Sequence, residues 1–504
     1  MSRTILLSIA ALALAAPAYR PLPAQQEKYA TEVSNRTNAS MAMFPMSTSS
    51  AAARMHAELG QRALDVGRAT EAQKHFMEAV AADPTSAFAQ LGYANAATSF
   101  GDYDTRLAAA VKLAATASLA ERLQISIAQK AEVSDYTGAE GTARQLIAVA
   151  PRNPRSYLAL ANVQQQMGKE AEARTTLKKA ISIAPNFSPS YRALAYSYMT
   201  SQPTDPAKAK PFVAKLVLLE PKEPQTFITQ GSYYRATNQL PLARAAYTRA
   251  AALDPGESLP LQQRGHVESF LGNFDAARAD YDAATKVAKD NEAGSYGMYR
   301  AFVAAYAGNP KQAIDELDQF VGQIDGMNLP APVDAKIATL SAEVQIALQS
   351  GDFESATRAI AQRTPLVREQ VAKAADEKLK RLTEADISYY DGLLAARQGD
   401  AATAKAKADE IMKIVAETAD PQKDQPAHAI LGVLALQQKE FATAASQLAQ
   451  ASPNNMFIAY ERALALDGAG KKAEAKALFR KVAQFNFNSA DEAATRSDAV
   501  KRAM

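Results

Sequence analysis

The sequence predicts an all-α fold, a solenoid of stacked antiparallel helix pairs. Three observations carry that prediction. Residues 223–289 divide into two halves that overlay: Gly231 falls on Gly265, Ala243 on Ala277, Tyr247 on Tyr281 and Ala250 on Ala284, each pair 34 residues apart. Prolines close successive units at Pro151, Pro185, Pro221 and Pro255, in steps of 34, 36 and 34. The 504 residues exceed a usual single core, so several domains or a repeat array is expected. A period of this length marks a helix–turn–helix unit that buries its apolar face against its neighbours.

The residue types have physical reasons. Gly and Ala let two helix backbones approach where Leu would hold them apart. Tyr and Phe fill the wider gaps between small residues. A terminal Pro stops the second helix because it lacks the N–H that continues the ladder. In the unit beginning at Pro224 these marks are Phe227, Gly231, Tyr234, Ala243, Tyr247, Ala250 and Pro255. That pattern resembles the tetratricopeptide repeat; Gln230 departs from it, standing where the family has Leu. The resemblance implies a right-handed superhelix with a concave groove lined by the first helix of each pair.

Taken in order, residues 1–24 read as a signal peptide. Arg3 gives a positive start, the run ILLSIAALALAA follows, and Ala16-Pro17-Ala18 fits a small-x-small cleavage site. Twelve apolar residues reach about 18 Å, short of a hydrocarbon core of roughly 30 Å. Residues 25–50 are polar and rich in Met, Ser and Thr, and read as a flexible leader. A repeat arm is expected over 51–325. Its first unit shows Leu59, Gly60, Ala72, Phe76, Ala79 and Pro84; its second is worn; its fifth carries a longer turn, SQPTDPAK. Residues 326–333, GMNLPAPV, are the best linker candidate in the chain. A looser helical arm is expected over 332–486, with helix turns at Gly351, Gly399, Lys439 and Gly470 and a longer, charged helical stretch over 364–386. Residues 487–504 read as a polar tail capping the last helices, since a terminal repeat has no neighbour to cover it. The total is eleven or twelve helix pairs.

Composition narrows the function. There are 56 Lys and Arg against 53 Asp and Glu, a net charge of +3, which gives no electrostatic case for nucleic acid. There is no Cys, which excludes disulfides, thiolate metal sites and a Cys nucleophile. The four His stand at 56, 75, 266 and 428, none three or four residues from another, so no helical metal motif is present. Gly468-Ala469-Gly470-Lys471 glances at a phosphate loop but lacks the earlier Gly and the following Ser or Thr, and reads as a helix–helix turn. No enzyme motif and no cofactor motif is found.

The resemblance places groove residues at positions two, five, nine and twelve of each unit, spaced to share one helix face. Carried onto this chain, with neighbouring aromatic residues, the candidates are Arg155, Asn162, Arg192, Tyr196, Gln225, Arg235, Gln262, His266, Tyr299 and Phe302. Arg and aromatic side chains are common anchors for a protein or peptide. Leu158 stands where some family members place the Lys that clamps a terminal carboxylate, so that form of capture is not expected. The functional expectation is an exported, non-catalytic repeat scaffold, periplasmic or secreted, holding a protein or peptide in its groove. The alternative is an accessory subunit that positions an envelope-assembly or polysaccharide-export enzyme.

Overall fold

The computed structural model describes residues 43–504 except 98–99, 290–291, 373–376, 419–421 and 453. The expected signal peptide, and the leader up to residue 42, lie outside the described residues. The described residues form twelve helix pairs and one further helix, with no strand among them. Residues up to Pro260 form one compact unit and Leu261–Met504 a second.

The first unit holds α1 (Ala51–Asp65), α2 (Ala69–Ala82), α3 (Ala87–Asn95), α4 (Phe100–Leu113), α5 (Leu119–Glu132) and α6 (Tyr136–Val149). It continues with α7 (Pro154–Gln166), α8 (Glu170–Ile183), α9 (Ser188–Thr200), α10 (Lys210–Leu219), α11 (Pro224–Ala236) and α12 (Leu240–Leu253). Side chains start the helices where the sequence supplies them. Ser50 and Ser86 cap α1 and α3, and Ser118 and Glu121 form a reciprocal capping box on α5. Pro154 and Pro224 occupy first helical positions, where a missing N–H costs nothing.

The small–large interlock expected from the sequence is literal. A Cβ on Gly231 would lie 2.5 Å from Tyr247 Cε1, too close for any residue but Gly. Phe76 serves two pairs at once: its ring faces Gly60 of its own pair and Gly92 of the next, where a Cβ would come within 2.9 and 2.1 Å. Both rings are fully buried. The long turn after α9 is gripped by Arg174, which donates to the carbonyls of Ser197, Ser201 and Pro203 at 2.8, 2.9 and 3.0 Å.

The second unit begins within α13 (Ser258–Leu271) and holds α14 (Phe274–Val287), α15 (Glu292–Tyr306), α16 (Pro310–Gln323), α17 (Pro332–Ser350), α18 (Phe353–Ala372) and α19 (Glu377–Gln398). Then come α20 (Ala401–Val415), α21 (Gln425–Gln437), α22 (Phe441–Gln450), α23 (Met456–Gly468), α24 (Lys472–Gln484) and α25 (Ala490–Ala503). The turns inside its pairs use left-handed residues: Gly at 272, 308, 351, 399 and 470, and Lys439 once. Gly470 is therefore a helix–helix turn, as its sequence context indicated. The charged stretch is held by two long helices, α18 with 20 residues and α19 with 22.

The compact units divide at Pro260, whereas the linker-like composition lies at 326–333. That segment lies within the second unit and is anchored there. Ile324 and Leu329 are buried in a cluster with Phe320, which ties the turn to α16. Ser489 starts a helix, α25, whose Ala490, Ala493 and Ala499 are buried. This helix packs on the last pair, as a cap would, but also on α15 and α17.

Candidate functional site

The candidate groove residues fall into both units, and each set is taken within its own. In the first unit, Arg155 of α7, Arg192 of α9 and Gln225 of α11 sit on successive first helices. The turn between α1 and α2 lies against all three. Arg155 donates one arm of its guanidinium to Asp65 Oδ1 at 2.8 Å and the other to Oδ2. Its cation also rests 5.0 Å from the Phe187 ring centroid. Arg192 donates to the Asp65 carbonyl and to the Glu220 carboxylate. Glu220 in turn accepts from Thr226 at 3.0 Å and from Ser188. Arg68, at the other end of the turn, donates to Glu223 at 3.0 Å and Glu71 at 3.1 Å.

Between these ion pairs stands Gly67 at φ +83, where a Cβ would come within 2.7 Å of Gln225 Cγ. The turn is therefore seated on three first helices by charge at both ends and close contact in the middle. Arg235 is buried, and Tyr196 is half-buried against the cluster built on Leu177 and Leu194. Asn162 is the exposed member of this set.

In the second unit, His266 of α13 is buried in an aromatic and amide cage. Its Nδ1 lies 2.7 Å from the Tyr281 hydroxyl and 2.8 Å from Asn488 Nδ2. Gln262 Nε2 lies 3.2 Å from His266 Nε2, and the Tyr299 ring meets the imidazole edge-on at 4.7 Å between centroids. Phe302 is fully buried and meets Tyr299 edge-on, so it is part of the core. Asn488 enters this cage from the segment preceding α25. Its Nδ2 also donates to the Tyr281 hydroxyl at 3.2 Å, and its Oδ1 accepts from Tyr306 at 2.8 Å.

The rest of the C-terminal segment is held by the same kinds of contact. Arg496 lies 4.7 Å from the Phe270 ring centroid and donates to the Phe485 carbonyl at 3.0 Å and to Asn486 Oδ1 at 2.9 Å. Asn455 donates to Asp491 at 3.2 Å, and Tyr460 donates to Asp498 at 2.6 Å. Burial pushes the Asp491 carboxyl up to about 6. Burial pushes Glu492 up to about 8, with the neighbouring Asp491 charge adding to it and the Ser489 hydroxyl opposing it. Burial also lowers the Arg496 pKa.

Sequence reasoning grouped these positions by face and missed their occupants. Asp65 and Asn488, which reach the predicted faces, lie at a turn and in a tail, 90 residues before Arg155 and 222 residues after His266. No local pattern connects them.

Two family models match, both described as tetratricopeptide repeat, over residues 130–195 and 260–291. The chain carries tetratricopeptide repeats. These matches cover one stretch in the first unit and the start of the second. Among curated proteins, the repeat chain is 30% identical over 150 residues to Protein O-mannosyl-transferase TMTC1 of Mus musculus, covering 29% of this chain and 16% of the relative. It is 28% identical over 183 residues to the Homo sapiens protein of that name, covering 33% and 20%. The chain thus spans a fifth or less of these relatives. Among solved structures, a tetratricopeptide repeat protein from Parabacteroides merdae has 16% identity and a TM-score of 0.38, covering 53% of this chain and 98% of that one. The APC/C hetero-tetramer Cut9–Hcn1 has 16% identity and a TM-score of 0.39, covering 90% of this chain and 76% of that one. YrrB, described as a tetratricopeptide protein with an unusual peptide-binding site, has 19% identity and a TM-score of 0.29, covering 36% and 91%.

Proposed function

We propose that this chain is an exported, non-catalytic repeat scaffold that holds a protein or peptide partner against the first helices of its repeats. The observation that carries the reading is the seat of Asn488. A face built from His266, Tyr281 and Tyr306 already grips a peptide segment through one amide side chain, with aromatic walls around it. Buried aromatic side chains in well-packed pockets are common anchors for a protein partner. The first unit offers the same chemistry beside its seated turn, with Asn162 exposed and Tyr196 half-buried on neighbouring first helices. The non-catalytic part of the reading rests on the jobs the polar clusters already have: Arg155, Arg192, His266 and Arg496 each hold one part of the chain against another. Export rests on the N-terminal run alone.

The test is affinity capture from the native extract with the full chain as bait, run beside Asn162→Asp with Tyr196→Ala. These positions avoid the Arg155 and Arg192 ion pairs, and thermal melting checks that the variant is folded despite the packing lost at Tyr196. Loss of specific partners in the variant supports the reading. An identical partner set from both baits sinks the first-unit face as the site. Co-purification of a membrane-bound enzyme complex would instead favour the accessory-subunit role.

A further inference from the structure

We propose that His56, His75 and Glu78 of the first helix pair form a binding site for one divalent transition-metal ion of the zinc class. Pairing of α1 with α2 brings together two histidines that lie far apart in sequence. Glu78 follows His75 by one helical turn and joins them. One ligand atom from each residue lies within 4.8 Å of the other two. His56 Nδ1 is 2.9 Å from Glu78 Oε2, and His75 Nδ1 is 3.3 Å from the same oxygen. Donors on a tetrahedral zinc, at about 2.0–2.1 Å from the metal, stand roughly 3.3 Å apart. The side chains are therefore spaced to share one small cation with little rearrangement.

A second observation separates this cluster from an ordinary surface hydrogen bond. His56 Nδ1 is shielded from solvent and makes no hydrogen bond: Glu78 is near it but off the line such a bond needs. A buried ring nitrogen left unsatisfied costs free energy, and a metal would satisfy it. The imidazoles face one another at 5.8 Å between centroids with a 32° tilt.

Two imidazoles and one carboxylate suit zinc, cobalt, nickel or copper better than calcium or magnesium. Three protein ligands leave a fourth position for water or for a donor from a partner. The location has a structural use. This is the first described pair of the array, and a metal bridging α1 to α2 would clamp its two helices together.

The experiment is calorimetric titration of the untagged full chain with zinc chloride, repeated with His56→Ala, His75→Gln and His428→Ala. Cobalt(II) absorption reports the coordination geometry. One equivalent of zinc is expected to bind the native chain, at least tenfold more weakly in the His56 and His75 variants and unchanged in His428→Ala. Cobalt should give the intense visible bands of a four-coordinate site only where both residues remain. Equal zinc affinity in all four proteins, or weak bands of an octahedral aquo-type ion, would overturn the proposal. Thermal melting without metal shows whether each variant is folded. Should His56→Ala unfold, the more conservative His75→Gln carries the decision alone.

Discussion

Arg155 holds Asp65 with both arms of its guanidinium, and so binds the fourth helix pair to the turn of the first. The two side chains are 11% and 13% exposed, so the pair is largely withdrawn from water. Removing Asp65 takes the bidentate carboxylate away from a mostly buried guanidinium. Asp65→Ala is expected to destabilise the chain by about 3 kcal/mol, the lower end of the range for breaking buried pairs. Replacing both residues, as Asp65→Leu with Arg155→Met, should recover much of that loss. Urea unfolding of the four proteins in the cycle measures it; additive losses would show that the pair is not coupled.

The Gly–Tyr interlock gives a graded prediction. A Cβ at residue 231 would lie 2.5 Å from the Tyr247 ring, and one at residue 265 would lie 2.9 Å from the Tyr281 ring. Gly231→Ala should therefore cost more than Gly265→Ala, both within the roughly 1–3 kcal/mol of overpacking. Shrinking the ring relieves the clash, so Gly231→Ala with Tyr247→Leu should be less damaging than the sum of its parts. Denaturant midpoints at matched slope decide the order.

Asn488 accepts the hydrogen bond of the buried Tyr306 hydroxyl. Asn488→Ala leaves that group without its acceptor, at a cost of about 1–3 kcal/mol. Asn488→Asp keeps the acceptor but loses the donor aimed at Tyr281 and His266, and should fall between the native chain and the Ala variant. Amide hydrogen exchange across 486–504 is the readout, because the loss is expected in the seating of α25 before it is felt in the whole unit.

Raising the pH should loosen the same helix. Asp491 and Glu492 have folded-state pKa values near 6 and 8, above those of exposed carboxylates. The folded protein therefore binds more protons than the unfolded chain between about pH 4 and 8, and stability falls as pH rises through that window. Asn455 faces Asp491, and Ser489, Arg496 and the Asp491 charge act on Glu492, so partial compensation is already included. Protection of α25 against exchange should be greater at pH 5 than at pH 8. Glu492→Gln, which cannot ionise, should flatten the dependence. Glu343 on α17, raised to about 7 by burial against the pull of Arg358, adds a slope of the same sign, so the local measurement is needed beside the global one.

How much of this was legible in the sequence depends on the distance between partners. The helix pairs were, because Gly231 meets Tyr247 and Gly60 meets Phe76 within a single repeat, and the repeat displays that contact each time it recurs. The turn glycines were legible for the same reason. The C-terminal helix was not. Its buried residues are alanines in a polar setting, and an Ala stripe reads as neither core nor surface until the facing helices are known. The occupants of the inner faces were hidden for a stronger reason: Asp65 and Asn488 obey no repeat. The His56–His75–Glu78 cluster was missed because metal spacing was sought along one helix and not across a pair.

The contact of Asp65 with Arg155 also bears on how this chain could change over evolutionary time. An array of like repeats ordinarily grows and shrinks by duplication or loss of a unit, since each unit touches only its neighbours. Here the first pair is fastened to the fourth, fifth and sixth by Arg155, Arg192 and the Arg68–Glu223 bridge. Inserting or deleting one 34-residue unit between them would carry Asp65 away from Arg155 and Arg68 away from Glu223, breaking both ion pairs. The number of repeats in that stretch is thereby locked, and the segment must be inherited, unfolded and refolded as one piece.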